Sequence, residues 1–240
     1  MDLNVPKRQH ILPTASIKRF YDQAKKSVDI YSFKAGKRFR RAATKDEFIV
    51  TRAWDSNVEI GTREAEAEFQ CLADTLTGDC VLTEAQNATA SRFYALLRAR
   101  SMAHGEVDQT SLFDQASVNY SRESEECRER AEMNGVALLT NQKDMDRWVR
   151  GLVVRHELGR ARTFKWKTMI AVDHEFVVTD NYRNLVVIPI SPMLCLVPIS
   201  EPALPSRRRT REFNERLAAQ SERWYLARDL SATGIAAHAG

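Results

Sequence analysis

Residues 175–200 (EFVVTDNYRNLVVIPISPMLCLVPIS) restrict the possible folds of this chain more than any other stretch. Three short apolar runs, over residues 176–178, 185–190 and 193–199, are separated by turn-forming residues. Runs of this kind are typical of strands that are buried on both faces. A polar island, residues 179–181, interrupts them, and an aspartate between buried strands must be paired, capping, at a turn or functional. The stretch therefore predicts the floor of a core that contains one polar site.

The remaining patterns predict an α+β fold with an N-terminal β-hairpin, a helical middle and a late antiparallel or mixed sheet packed against helices. The hairpin is expected over residues 28–44, because two strand-like runs flank the turn Lys34-Ala35-Gly36-Lys37. Apolar residues at helical spacing and helix-capping residues predict the helices, which we expect over residues 14–24, 62–78, 83–102, 121–134, 141–162 and 210–229.

Three expectations in the second half are specific enough to be tested by a structure. His156 falls on the apolar stripe of its helix, which favours a buried, hydrogen-bonded histidine over a catalytic one. Alternation over residues 164–172 predicts a strand with one core-facing side, joined to the next apolar run as a meander. Trp224 lies at helical spacing from Leu217, which places it on the last helix.

Composition indicates an ordinary globular protein. With 240 residues, 43% hydrophobic and 28% charged, the chain suits a single domain over residues 1–240, with loosely ordered tails at 1–9 and 233–240. The four cysteines are widely separated and form no Cys-x-x-Cys pair, which favours reduced thiols. We find no signal-peptide pattern and no membrane-spanning apolar run, so we expect a cytoplasmic protein without a membrane partner.

Several short motifs occur in an order that a known family shares. Gln9-His10-Ile11-Leu12-Pro13, followed by Phe20, opens the series. The later matches are Glu68, Arg100-Ser101, residues 176–181 (FVVTDN), residues 188–192 (IPISP) and Asn214. Together they resemble the Q-H-Y-V-P, R-T-P, I-T-S-D-N-P and P-L-S-P motifs of an uncharacterised, mainly bacterial family catalogued as domain of unknown function number 4238. The resemblance covers nearly the whole chain, but the family brings no established activity.

The matched polar residues form a chemically coherent set, with His10, Asp180, Glu68 and Arg100 as the predicted catalytic residues. His10 can exchange a proton near neutral pH, and Asp180 and Glu68 can orient it or hold a divalent metal, the one cofactor that we consider. Arg100 can bind a phosphate or carboxylate through two hydrogen bonds. The predicted substrate-binding residues are Asn181, Arg38, Arg40 and Arg41.

A purely structural interpretation of the same residues stays open. Asp180 can cap a turn with Asn181, Arg100 can pair with Glu68, and His10 can anchor the N-terminal arm.

The functional hypotheses follow from these residues and from a net charge of +4. The first is an intracellular nuclease or phosphodiesterase-type hydrolase that acts on nucleic acid or a nucleotide. For this hypothesis the family resemblance implies a toxin or phage-defence effector, because uncharacterised bacterial families are often defence genes. The second is a non-catalytic module that holds nucleic acid or a protein partner, such as a neutraliser, through its hairpin arginines and residues 207–209. The third is a small-molecule hydrolase.

Overall fold

The computed structural model describes residues 8–51, 56–105, 151–152, 154–159, 163–200 and 207–236. The helix predicted over residues 121–134 lies outside the described residues, as do residues 1–7 and 237–240 of the predicted loose tails. Two tail boundaries differ from the prediction, because Arg8 and Gln9 belong to a strand and Thr233 is buried.

The described residues contain helices and antiparallel strands, which confirms the predicted α+β class. The strands are β1 (Arg8–His10), β2 (Val28–Ser32), β3 (Lys37–Arg41), β4 (Ile49–Thr51), β5 (Trp166–Ile170), β6 (Val178–Thr179), β7 (Ile188–Ser191), β8 (Leu194–Pro198) and β9 (Trp224–Ala227). The helices are α1 (Thr14–Lys18), α2 (Ser56–Thr75), α3 (Glu84–Gly105) and α4 (Arg207–Gln220), with single 3-10 turns at Asp46–Phe48 and Leu230–Ala232. Among these helices none has the length and apolar character of a membrane span.

The described strands form three antiparallel sheets, with the orders β1-β4, β3-β2-β9-β6 and β5-β8-β7. The predicted hairpin is confirmed as β2 and β3, which pair from Val28 opposite Arg41 to Ser32 opposite Lys37. Gly36 closes its turn at a φ of +59°, a backbone conformation that residues with a Cβ rarely adopt.

The predicted meander is wrong, because the strands of residues 175–200 separate into two sheets. β5 pairs with β8 and β8 with β7, whereas β6 pairs with β9 in the other sheet. Because residues 175–200 are apolar on both faces of their strands, different strands of this stretch can be buried in different sheets. The core-facing side predicted for residues 164–172 is correct at Trp166 and Thr168, but Val172 is 53% exposed.

The last predicted helix ends early. α4 stops at Gln220, and Trp224 lies in β9 between β2 and β6. All four residues of β9 are buried, which suits a central strand and not one face of a helix. The seven-residue spacing of Leu217 and Trp224 was therefore misleading.

Two helix predictions also change. α1 spans only Thr14–Lys18 of the predicted 14–24. His156 lies in a helical turn as predicted, but its side chain is 59% exposed. Val154 is fully buried there, and residues two positions apart point to nearly opposite sides of a helix, so His156 faces solvent.

Helices α2 and α3 pack against each other through stacked Phe69 and Phe93 rings, whose centroids are 3.8 Å apart. The predicted cap of α3 is confirmed. Thr83 N donates to Gln86 Oε1 at 2.9 Å, and Gln86 N donates to Thr83 Oγ1 at 3.4 Å. This reciprocal capping box satisfies two N–H groups that the helix leaves without an intrahelical acceptor.

Asn214 on α4 joins three segments that are distant in sequence. Its side chain is fully buried. Oδ1 accepts from Val177 N at 3.1 Å, while Nδ2 donates to Glu175 O at 2.7 Å and to Thr233 O at 2.8 Å. Because a buried backbone group without a partner costs about 1–3 kcal/mol, this one amide stabilises the start of the 175–200 stretch and the end of the chain together.

We expect Asn214→Ala to lower the free energy of unfolding by about 2–4 kcal/mol, because it leaves one N–H and two carbonyls without their acceptor or donors. Urea unfolding followed by circular dichroism measures the change. Arg216→Ala, on the exposed side of the same helix, is the control and should change stability by less than about 0.5 kcal/mol. Equal stability of the two variants would contradict the bridging role.

Candidate functional site

A cleft of about 340 Å³ lies between residues 10–15, here called the N-terminal arm, and helices α2 and α3. The arm contributes His10, Pro13, Thr14 and Ala15, α2 contributes Arg63, Glu66, Ala67 and Gln70, and α3 contributes Arg100. Two predicted catalytic residues, His10 and Arg100, therefore share one cavity. This volume is at the lower end of the range of about 300–1,000 Å³ for small-molecule sites.

The α2 wall presents its polar residues by helical spacing. Arg63, Glu66 and Gln70 are three and four residues apart, so they project from one face of the helix. Arg63 is exposed, whereas Glu66 and Gln70 are half-buried. On this wall the cationic side chain of Arg63 is therefore more accessible to solvent than the carboxylate of Glu66.

Arg100 is a buried cation at the cleft, with 1% of its surface exposed. Its Nη2 lies 2.5 Å from Glu66 Oε1 and donates to Thr62 Oγ1 at 3.2 Å. An ionised guanidinium is stable in such a place only when a carboxylate and hydrogen-bond acceptors surround it. The pair with Glu66 therefore fixes both side chains in position.

His10 reaches the cleft from the end of β1, where it lies opposite Ile49 of β4. The next residues, Ile11 and Leu12, are buried, and Ile11 N donates to Phe48 O at 3.4 Å. The half-buried His10 therefore lies between strand β1 and the two buried residues Ile11 and Leu12. The backbone of the arm determines the position of His10.

Gln70 joins the two walls of the cleft. Its Nε2 donates to Ser16 Oγ of α1 at 2.9 Å, and its Oε1 accepts from Arg19 Nε at 2.8 Å. Arg19 also pairs with Asp74 on α2 at 2.6 Å. These contacts hold the segment that follows His10 against the helix that carries Glu66.

Glu68 does not belong to this group, which corrects the prediction. Its side chain is 45% exposed and pairs with Arg92 of α3 at 3.3 Å. Residues 66 and 68 point to nearly opposite sides of α2. The carboxylate that pairs with Arg100 is that of Glu66, which sequence reasoning missed together with Arg63 and Gln70. The spacing of residues 63, 66 and 70 was the available signal.

Asp180 and Asn181 do not line the cleft. The Asp180 carboxylate accepts from Glu222 N at 3.0 Å and from Arg223 N at 2.8 Å. Asn181 donates to Glu222 Oε1 at 3.0 Å and accepts from Arg183 N at 3.0 Å. Both side chains therefore bind the segment between α4 and β9 to residues 175–200. This is a structural role for Asp180, in agreement with the structural interpretation of the sequence.

The Asp180 segment contacts α3 next to Arg100. Ser101 Oγ donates to Asp180 O at 3.3 Å and accepts from Tyr182 N at 3.0 Å. Arg183 Nη2 donates to Ser101 O at 2.8 Å. The predicted residues at 100 and 180 thus lie on two sides of one helix, and only Arg100 faces the cleft.

Burial raises the pKa of Asp180 from 3.8 to about 6. The Glu222 carboxylate also raises this pKa, whereas the two backbone N–H donors lower it. Since only 6% of the residue is exposed, the loss of hydration outweighs the two hydrogen bonds.

The hairpin arginines predicted to bind substrate are all engaged with carboxylates. Arg38 pairs with buried Asp29 and, at 2.8 Å, with Asp229. Arg40 lies 3.3 Å from Asp22, and Arg41 Nε lies 2.5 Å from Glu47. These contacts neutralise much of the basic surface that the sequence suggested.

A divalent metal is the cofactor that the sequence suggests. Within the described ranges there is no group of three or more His, Cys, Asp or Glu side chains that could hold a metal ion.

Comparisons of the chain with protein-family models, with curated proteins and with solved structures find no match.

Glu66 and Glu68 provide a matched pair of substitutions on one helix. We expect Glu66→Gln to lower the free energy of unfolding by about 1–3 kcal/mol, because it removes the charge opposite a buried guanidinium. Glu68→Gln removes an exposed pair and should cost less than about 0.5 kcal/mol. Urea unfolding of both variants measures the difference, and a larger loss for Glu68→Gln would reverse the assignment.

The raised pKa of Asp180 predicts a pH-dependent stability difference. Because the folded protein holds this proton more tightly, the contribution is fully present below pH 3.8 and is lost as the pH rises through about 6. The stability of the wild type relative to Asp180→Asn, which does not titrate there, should fall by about 2 kcal/mol between pH 4 and pH 7. Denaturant unfolding across this range tests the prediction, and a constant difference would contradict it.

Proposed function

We propose that the chain is an intracellular hydrolase of phosphodiester bonds in nucleic acid or nucleotides, and that the cleft is its active site. One observation carries the proposal, namely that His10 and Arg100 line the same cleft together with Arg63 and Glu66. A proton-transferring imidazole beside guanidinium groups is the combination that phosphoryl chemistry uses.

The charges of the cleft favour an anionic substrate. Glu66 balances the charge of Arg100, so the second guanidinium, Arg63, gives the lining residues a net positive charge without counting His10. Arginine side chains bind phosphate oxygens through two parallel hydrogen bonds. We assign Arg63 to initial contact with the phosphate, because it is exposed at the mouth, and Arg100 to stabilising charge from a fixed position.

The proposed step is hydrolysis. The oxygen of a water molecule forms a bond to phosphorus while the P–O ester bond breaks. His10 accepts a proton from the water and returns it to the leaving oxygen, which gives a phosphate monoester and an alcohol. Glu66 acts through Arg100 and is a positioning residue.

The structural interpretation of these residues is weaker for His10 than for Asp180. Asp180 has two backbone N–H donors that account for its placement. His10, by contrast, is half-buried at a cleft whose opposite wall carries charged side chains. The resemblance to domain of unknown function number 4238 includes both His10 and Arg100. As the biological role we propose a bacterial toxin or phage-defence effector, because uncharacterised bacterial families of this kind are often defence genes.

We expect His10→Gln to lower the turnover of RNA, DNA or bis(p-nitrophenyl) phosphate at least about 100-fold, because general acid–base catalysis contributes about 10²–10⁴-fold. Release of acid-soluble nucleotides and of nitrophenol measures turnover, with added magnesium and with chelator in parallel. His156→Gln is the matched control, because His156 is exposed and outside the cleft, and its turnover should stay within about twofold of wild type.

The other outcomes separate the hypotheses. A His10→Gln protein that keeps its melting temperature and full turnover would overturn the proposal. Wild-type protein that binds nucleic acid without cleaving it would support a binding module instead. The effector role is tested by the growth of bacteria that express wild type, His10→Gln or His156→Gln. We expect the wild type and His156→Gln to be toxic and His10→Gln to be harmless.

A further inference from the structure

An aromatic cluster lies at the tip of the β2–β3 hairpin and shares no residue with the described lining of the cleft. It consists of Tyr31, Phe33 and Tyr225. The Tyr31 and Tyr225 rings are stacked at 5.4 Å, and Phe33 meets Tyr31 edge-on at 5.3 Å and Tyr225 at 5.9 Å. None of the three residues lines the cleft.

Strand geometry explains this grouping. Tyr31 and Phe33 are two residues apart, so they project from the same face of the sheet. Tyr31 lies directly opposite Tyr225 on β9 and opposite Arg38 on β3. Phe33 N donates to Arg223 O at 3.0 Å, which continues the pairing of β2 and β9 beyond Ser32.

The cluster is buried on the side of strand β9 and exposed to solvent at the hairpin turn. Tyr225 is only 4% exposed, whereas Phe33 is 39% exposed. All residues of the turn, from Lys34 to Lys37, are exposed as well. Phe33 therefore packs one side of its ring against the two tyrosines and presents the rest of its apolar surface to solvent at a tight turn.

Two lysines flank this ring, one on each side of the turn. Among the described residues, neither Lys34 nor Lys37 forms a salt bridge, in contrast to Arg38, which pairs with Asp29 and Asp229. The tip therefore combines an exposed aromatic surface with two cations that described carboxylates do not neutralise.

We propose that this hairpin tip binds single-stranded nucleic acid. An unpaired base stacks on Phe33, next to Tyr31, and the flanking phosphates contact Lys34 and Lys37. Aromatic side chains on a sheet, beside cations that follow the backbone, are how proteins hold single strands with little sequence preference. A duplex does not fit, because its base faces are already stacked.

This surface is distinct from the proposed active site and does not depend on catalysis there. If both proposals are correct, the hairpin tip distinguishes a polymeric substrate from a free nucleotide, because it adds affinity that only a strand can use.

Binding is tested with fluorescently labelled oligo-dT and oligo-U of about 12 nucleotides, within the usual site sizes. His10→Gln serves as the parent protein so that the probe is not cleaved. We expect Phe33→Ala to raise the Kd about 5- to 100-fold, since one stacked base contributes that much, and Phe33→Trp to restore binding. Val81→Ala, at another exposed apolar residue, should leave the Kd unchanged.

The lysines are tested through the salt dependence of binding. The double variant Lys34→Gln, Lys37→Gln should reduce the slope of log Kd against log salt by about 1.4, since each phosphate contact on a single strand contributes about 0.7. The double variant Lys18→Gln, Lys45→Gln removes the same charge from other exposed positions and should keep the wild-type slope.

Three results would overturn the proposal. They are Phe33→Ala binding as tightly as its parent, the two lysine doubles giving the same salt slope, and duplex DNA or an acidic peptide competing as well as the single strands. Full turnover in His10→Gln would remove the proposed catalysis and leave this surface intact, so the two proposals fail separately.

Discussion

The backbone of residues 175–200 must supply strands to two different sheets, and the segments between those strands need hydrogen-bond partners that neither sheet provides. Two side chains from outside the stretch meet this need. Asn214 donates to Glu175 O and accepts from Val177 N, and Ser101 Oγ accepts from Tyr182 N. In return, Asp180 at the polar break accepts from the N–H groups of residues 222 and 223. The polar residues of this region are therefore a consequence of the division of the stretch.

The same division places α3 between two polar environments. One side of the helix contacts residues 180–183 through Ser101, and the neighbouring Arg100 reaches Thr62 and Glu66 in the cleft. The family resemblance placed Arg100 and Asp180 in one predicted site. Both residues do lie at α3, but Arg100 faces the cleft and Asp180 faces the segment between α4 and β9.

Local patterns predicted the elements that depend on neighbouring residues. The hairpin around Gly36 and the cap formed by Thr83 and Gln86 both follow from short-range chemistry, and both are present. Trp224 was misplaced because a seven-residue spacing fits a helix, whereas burial of every residue in β9 is visible only when the sheet is assembled. His10 and Arg100 were correctly grouped at one cleft, but the choice between Glu66 and Glu68 depends on which face of α2 meets α3. The spacing of residues 63, 66 and 70 groups Glu66 with two other cleft residues, but it does not identify that face by itself.

Every described side chain that lines the cleft lies between positions 10 and 100, and no described residue after Arg100 contributes to its lining. Sequence changes in residues 163–236 can alter the shape of the cavity only by shifting the helix that they support. Among the described residues, substitutions that change what the cavity accepts therefore fall at positions 10–100, and compensating changes elsewhere should concentrate where residues 180–183 contact Ser101.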